Sequence, residues 1–538
     1  MVSEALARPP FYRDRFVISF LVLLIAFIIW RSQWMSVPFY WDEAWVYTPA
    51  VRAMYANGLS LLPDAIDVSL SRGHPLLFHV LATAWAYVFG LGAISLHSFA
   101  LFVSVALLIS VFAVGRDLYG GALGLAMAAL VLTHEGFLAQ SGILLPELML
   151  ALWVLLALHQ FLRKRPFGFI LFASLALLTK ESGLAAIVAF PAWQVVQLFF
   201  TKPDERKHHI QWLFLTFIPL LIVATYFGIQ YAIFGWVFFP EHIGLLTWDL
   251  KDVAYKSRGI FLALFEEQGR IVFTYASTIV CALLWKRGSW GQRVIAAVLF
   301  VAAIKALWGR WPIPFIPEPL STLLVLAILF LLFFLDFHRK GSERTAAVPL
   351  TFLIVISTWA FSALNFYTDR YLLVAVPIIV LGGCSFMTQV LGQYHRIVLP
   401  SVLLLCIGVQ ASQIGRDEKI GDTRLRYLEA ILADEQLIAY CEERGLQNAR
   451  MATDDMLSVY LTDTAAGYLT RGRAFSHVST QWDDSTRYVL VNSSTTSERS
   501  MEMTMAGFKP LQRIVVGKAW GELRERPSAL DRPFLDRR

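Results

Sequence analysis

Apolar residues in this chain are gathered into blocks of roughly 16–24, each long enough as a helix to cross about 30 Å of hydrocarbon. That clustering constrains the fold more than any other feature. Inside a bilayer a segment must satisfy its own backbone groups, which a helix does alone and a sheet does only when closed into a barrel. A barrel would show alternating segments of about ten residues, and the sequence does not read that way. The composition agrees: 57% of the 538 residues are hydrophobic and mean hydropathy is +0.58, whereas soluble domains are about 45–50% apolar. The expected fold class is an all-α polytopic membrane protein.

About thirteen spans are predicted, over residues 16–33, 95–115, 120–138, 146–162, 167–180, 184–200, 211–234, 267–286, 293–309, 318–337, 347–364, 371–390 and 396–412. The first has no small-residue cleavage site after it and is read as a retained helix. With the N-terminus inside, the cytoplasmic loops carry Arg13 and Arg15, Arg116, Arg163-Lys164-Arg165, Lys202 with Arg206 and Lys207, Lys286-Arg287, Arg339-Lys340 and Arg396. Basic residues collect in this way on the cytoplasmic side of membrane proteins. The formal net charge of +6 is therefore a matter of orientation, and nucleic acid is not an expected partner. Residues 75–90 are apolar too, but counting them as a span would put Arg163-Lys164-Arg165 outside. They are placed in the interface as a juxtamembrane helix, with a second one at 43–57.

Residues 414–538 differ in kind from 1–413, and the chain divides there. Charges become common, a helical pattern runs over 424–444, and β-rich runs appear at 486–492 and 511–516. A small soluble α/β domain is expected, and an odd number of spans puts it on the outer face. Cys281, Cys384, Cys406 and Cys441 form no metal-binding spacing, and the three in apolar runs read as packing residues. Asn492-Ser493-Ser494 matches a glycosylation triplet.

The same threading places many ionisable residues on one face. Asp42 and Glu43 follow the first span, Arg72 and His74 share that loop, Glu147 opens the fourth span, and Lys180-Glu181 form the turn after the fifth. Glu241, His242, Lys256, Arg258 and Arg270 belong to or border the loop at 235–266, and Asp369-Arg370 cap the twelfth span. Charges near hydrocarbon are costly and mark function. A carboxylate can accept a proton from an attacking nucleophile, and cations can hold the charge on a departing phosphate. Each also has a structural reading: an acidic pair as a helix N-terminal charge, Lys180-Glu181 and Asp369-Arg370 as local ion pairs, Arg258 and Arg270 as snorkelling side chains. Glu241 and His242 could ligate a metal, and His242 could equally be a hydrogen-bonding loop residue.

Five segments in order resemble the GT-C glycosyltransferases, and more closely the protein O-mannosyltransferase and lipid A aminoarabinose transferase group. They are Asp42-Glu43, Gly73-His74-Pro75-Leu76-Leu77-Phe78, Leu144-Leu145-Pro146-Glu147, Leu178-Thr179-Lys180-Glu181-Ser182-Gly183, and Asp369-Arg370-Tyr371 with Pro377. Two departures stand out: Glu147 is where the family more often has Asp, and one proline follows His74 where two are common. The resemblance implies a GT-C fold and an inverting transfer from a polyprenyl-phosphate sugar to a lipid, glycan or protein acceptor. It implies Asp42 as general base or acceptor-orienting carboxylate, Glu43 as its support or a ligand of donor or metal, and Glu147 as a second site carboxylate. It implies His74, Lys180, Arg258, Arg270 and Arg370 as candidates for the donor phosphate. A divalent metal at Glu241 and His242 stays open. The expected setting is a bacterial inner membrane, with a monomeric chain whose site and C-terminal domain face the periplasm. The alternatives are a lipid-linked sugar flippase, which would show inverted repeats and mid-membrane charges, a polysaccharide polymerase or ligase, and a non-catalytic relative that only binds lipid or protein.

Overall fold

The computed structural model describes residues 14–270, 346–391, 395–416, 418–495 and 497–526. The predicted spans at 293–309 and 318–337, most of 267–286, Cys281, and the basic pairs Lys286-Arg287 and Arg339-Lys340 lie outside the described residues.

The chain is mostly helical, and among the described residues six helices are long and apolar enough to cross a membrane: Arg15–Ser32, Ala93–Tyr119, Gly183–Phe200, Pro203–Phe234, Ala347–Leu364 and Asp369–Thr388. It is an integral membrane protein. The first helix shows how the pattern works. The Asp14 side chain accepts from the Phe16 backbone N–H at 3.0 Å and caps the N-terminus. Val17, Phe20, Leu24, Phe27 and Arg31 then repeat at three to four residues and are buried. Ile18, Val22, Ile25 and Ile29 cover the opposite face and are exposed, as an apolar face turned to lipid would be.

Small residues let the helices approach closely. Gly120, at φ +96°, turns the chain from Ala93–Tyr119 into Gly121–Leu132. A Cβ on Gly124 would meet the Arg116 backbone nitrogen at 2.7 Å. The expected span 120–138 is interrupted: helix stops at Leu132 and resumes as Glu135–Gln140. The cause is the polar run Thr133-His134-Glu135. Thr133 Oγ1 bonds back to the Ala129 carbonyl at 3.0 Å, and the buried Glu135 carboxylate accepts from the Gly415 and Leu425 backbone N–H groups. Both segments expected to be juxtamembrane are helical, as a π-turn at Glu43–Tyr47 leading into Thr48–Asn57, and as Leu77–Phe89.

The C-terminal part holds a five-stranded sheet in the order β2-β1-β3-β5-β4, with β1 at Arg450–Ala452, β2 at His477–Ser479, β3 at Tyr488–Asn492, β4 at Lys509–Val516 and β5 at Ala519–Glu525. β1 runs parallel to β2 and β3, and β5 is antiparallel to β3 and β4. β3, the central strand, is buried at every position. The helix Tyr427–Glu443 packs on the sheet, where Gly521 leaves room for Leu437. Asn492 is buried and its Nδ2 donates to Asp434, so the amide of the glycosylation triplet is engaged in the fold.

This part packs directly on the membrane helices. The Phe39 backbone N–H donates to the Ala466 carbonyl at 3.0 Å, and Arg52 pairs with Asp463 at 3.1 Å. Arg31, buried at the end of the first helix, donates to the Tyr427 hydroxyl. One apolar core runs from Val17 to Leu523.

Candidate active site

The site grows from the exit of the first helix. Trp41 adopts φ +54°, a left-handed conformation unusual for a bulky residue, and its backbone N–H donates to the Tyr460 hydroxyl at 3.1 Å. The two carboxylates that follow separate at this point. Asp42 accepts from Trp45 Nε1 at 3.0 Å and pairs with Arg370. Glu43 is buried elsewhere: it accepts from the Leu144 backbone N–H at 2.7 Å and the Tyr40 backbone N–H at 3.1 Å, and lies 3.1 Å from His97 Nε2. The structure therefore does not bring Glu43 to Asp42's partners. Glu43 ties the first loop to the Leu144 turn, three residues before Glu147.

Arg370 is the hub. Its Nη2 faces Asp42, its Nη1 bonds Asp422 Oδ2 at 2.8 Å, and its Nε lies 3.6 Å from Glu147 Oε1. Lys180 Nζ is 2.8 Å from the same Glu147 oxygen and 4.5 Å from the centre of the Tyr371 ring. Glu147 Oε2 has no hydrogen-bond partner among the described residues. Asp42, Glu147, Lys180 and Arg370 thus meet, coming from the N-cap of the π-turn Glu43–Tyr47, the start of Glu147–Leu162, the end of Pro166–Thr179 and the start of Asp369–Val374. The opposite helix ends carry their own pairs, Arg116 with Asp14 at 2.7 Å and Arg163 with Asp117 at 2.6 Å. These are residues the orientation argument assigns to the other face.

Asp422 belongs to no pattern in the sequence. Burial pushes its carboxyl above the usual range, and Arg370 opposes that shift only in part. Asp42 moves the other way. Burial would raise it, but Arg370 and the Trp45 bond hold it below the usual carboxylate range.

A second group lies behind Lys180. The neighbours Lys180 and Glu181 do not pair with each other; Glu181 bonds His74 Nδ1 at 2.5 Å. His242 joins them, and one ligand atom from each of His74, Glu181 and His242 lies within 4.8 Å of the others. Gly73 admits this arrangement: at φ +70° a Cβ would sit 2.9 Å from the Trp236 ring. Burial works against charge on Glu181, yet the His74 ring keeps its carboxyl lowered, to about 2. Burial, with His74 alongside, lowers His242 to about 4. An ionised carboxylate and a neutral imidazole are the forms that bind a divalent cation. Glu241, paired with His242 in the sequence reading, is exposed and outside the group.

Two expected phosphate ligands lie away from Arg370. Arg258 is exposed on the helix Leu250–Phe261. Arg270 donates to Gln268 and borders a small cavity with His134, Asp369 and Arg424. Asp369, next to Arg370 in the chain, faces that cavity too. It accepts from Tyr367 Oη at 2.5 Å and from Arg424 at 3.1 Å.

No family model matches the chain, and no curated protein does. Among solved structures, ArnT from Cupriavidus metallidurans in the apo state is similar at 12% identity and TM-score 0.43, covering 96% of this chain and 99% of that one. ArnT from the same organism bound to undecaprenyl phosphate is similar at 14% identity and TM-score 0.39, over the same shares of the two chains.

Proposed function

We propose that this protein is an inverting glycosyltransferase that moves a sugar from a polyprenyl-phosphate donor to a lipid, glycan or protein acceptor. The observation that carries the reading is the meeting of Asp42, Glu147, Lys180 and Arg370 at neighbouring helix ends. A polyprenyl donor keeps its tail in hydrocarbon and its head at the surface, so its enzyme needs cations and carboxylates at that depth. Arg370 suits two-point contact with phosphate and Lys180 acts as a point charge. The bond from the anomeric carbon to the phosphate oxygen breaks, and both electrons leave with the polyprenyl phosphate. The acceptor oxygen attacks from the opposite side. Asp42, kept ionised by Arg370, orients the acceptor and takes its proton where it has one to lose. Glu147 holds Lys180 in place and presents its second oxygen to the site.

In this reading residues 1–413 form the catalytic membrane part, and residues 414–538 shape the choice of acceptor. Its setting is the periplasmic face of a bacterial inner membrane. A divalent cation serving this site would be held by His74, Glu181 and His242, where it would supply positive charge near the phosphate.

The test is to incubate purified protein with radiolabelled polyprenyl-phosphate sugars and candidate acceptors. Sugar transfer or release that disappears in Asp42→Asn supports the enzyme. Donor carried unchanged across vesicles, or turnover untouched by Asp42→Asn, overturns it.

A further inference from the structure

We propose that Asp422 occupies the donor phosphate's place on Arg370 in the free protein and swings aside when donor binds. The inference rests on the donor reading above and names the subsite within it: the Arg370 Nη1 edge, filled by a carboxylate from the segment that joins the last membrane helix to the C-terminal part.

Three carboxylates surround Arg370, and they are not held alike. Asp42 is also bonded by Trp45 Nε1 at 3.0 Å, and Glu147 by Lys180 at 2.8 Å. Asp422, among the described residues, bonds to Arg370 alone. A phosphate arriving at Arg370 displaces the carboxylate with the fewest other ties. Both oxygen acids make the same charge-assisted contact with a guanidinium edge, so one substitutes for the other without leaving a buried N–H unpaired.

The backbone around Asp422 is built for such a movement. Its neighbour Arg424 is anchored on the far side, to Glu267 at 3.0 Å and Asp369 at 3.1 Å, and the Arg424 backbone N–H closes a turn onto the Gly421 carbonyl at 3.0 Å. The side chain of Asp422 can rotate while the turn that carries it stays pinned. Charge points the same way. Two cations, Arg370 and Lys180, face three acids while Asp422 is in place. Its departure leaves two against two, and the entering phosphate then supplies the anion. Buried acids of like sign repel one another, which keeps the free site ready to exchange one of them.

The experiment measures binding of a polyprenyl phosphate, and of the matching polyprenol, to the purified full-length protein in nanodiscs. Wild type is compared with Asp422→Asn, Asp422→Ser and Asp422→Glu. Removing the competing carboxylate should tighten phosphate-lipid binding about five- to tenfold in Asp422→Asn and Asp422→Ser. Polyprenol binding should be unchanged, and Asp422→Glu should stay near wild type. In turnover, the two neutral variants should lower the donor KM. Equal or weaker phosphate-lipid binding by both neutral variants, with melting temperatures like wild type, overturns the proposal and makes Asp422 a structural pin; the donor reading survives that result. Wild type binding the polyprenol as well as the phosphate overturns the donor reading and this inference together.

Discussion

Arg370 and Arg424 are both buried arginines set among acids, yet those acids are held to different degrees. Around Arg424 the acids are saturated. Asp369 also accepts from the Tyr367 hydroxyl, Glu267 also pairs with Lys419, and nearby Glu135 accepts from two backbone N–H groups and from Gln268. Around Arg370 capacity is left over: Glu147 Oε2 has no hydrogen-bond partner among the described residues, and Asp422 has only Arg370. A carboxylate with an unmet oxygen, or with one partner, can take a new partner without giving up another. The first cluster is a weld between the membrane helices and the C-terminal part. The second is the candidate site.

Four substitutions separate weld from site, taken from the largest effect down. Asp42→Asn should slow sugar transfer about 10²–10⁴-fold with little change in melting temperature; near-normal initial rates would remove the distinction. Arg424→Ala strips a buried charge partner and should cost about 3–5 kcal/mol of stability, read as a lower melting temperature, while whatever folded protein remains still binds polyprenyl phosphate. Full stability with lost lipid binding would reverse the two assignments. Glu43→Gln keeps the shape and weakens the anchoring of the Leu144 N–H, for about 1–3 kcal/mol, and should leave measurable transfer. A loss as deep as that of Asp42→Asn would place Glu43 in the chemistry after all. Last, His242→Ala should lower the affinity for added divalent ion about 10–100-fold, a span known for removal of supporting groups at metal sites. Calorimetric titration of wild type and variant with the metal alone measures this, and identical isotherms would take the metal away from this triad.

Much of this was visible in the sequence because hydrophobic length and charge position are one-dimensional signals. Asp42, Glu147, Lys180 and Arg370 stand out as charges at the ends of apolar runs, and they do converge. The helix expected over 424–444 is found at Tyr427–Glu443, and the strand expected over 486–492 at Tyr488–Asn492. Pairing of neighbours was not legible. In Asp369–Val374 the chain is a 3₁₀ turn, where successive side chains point about 120° apart, so Asp369 and Arg370 enter different clusters. Lys180 is extended after its helix ends, at ψ 140°, and adjacent side chains in extended chain face opposite ways. That sends Lys180 to Glu147 and Glu181 to His74. Asp422 was out of reach for another reason: it lies 52 residues from Arg370, in a polar loop that no periodicity marks.

Trp41 has a consequence for how such proteins can be rearranged. A left-handed tryptophan costs of order 1–3 kcal/mol, and the contact that holds it comes from Tyr460, more than four hundred residues later. The aspartate beside it takes its direction from that backbone turn together with Trp45 and Arg370. Exchanging the tail of this chain for a foreign one would thus reach into the Asp42–Arg370 pair itself, and a hybrid that keeps this geometry would have to bring its own phenol to the same spot.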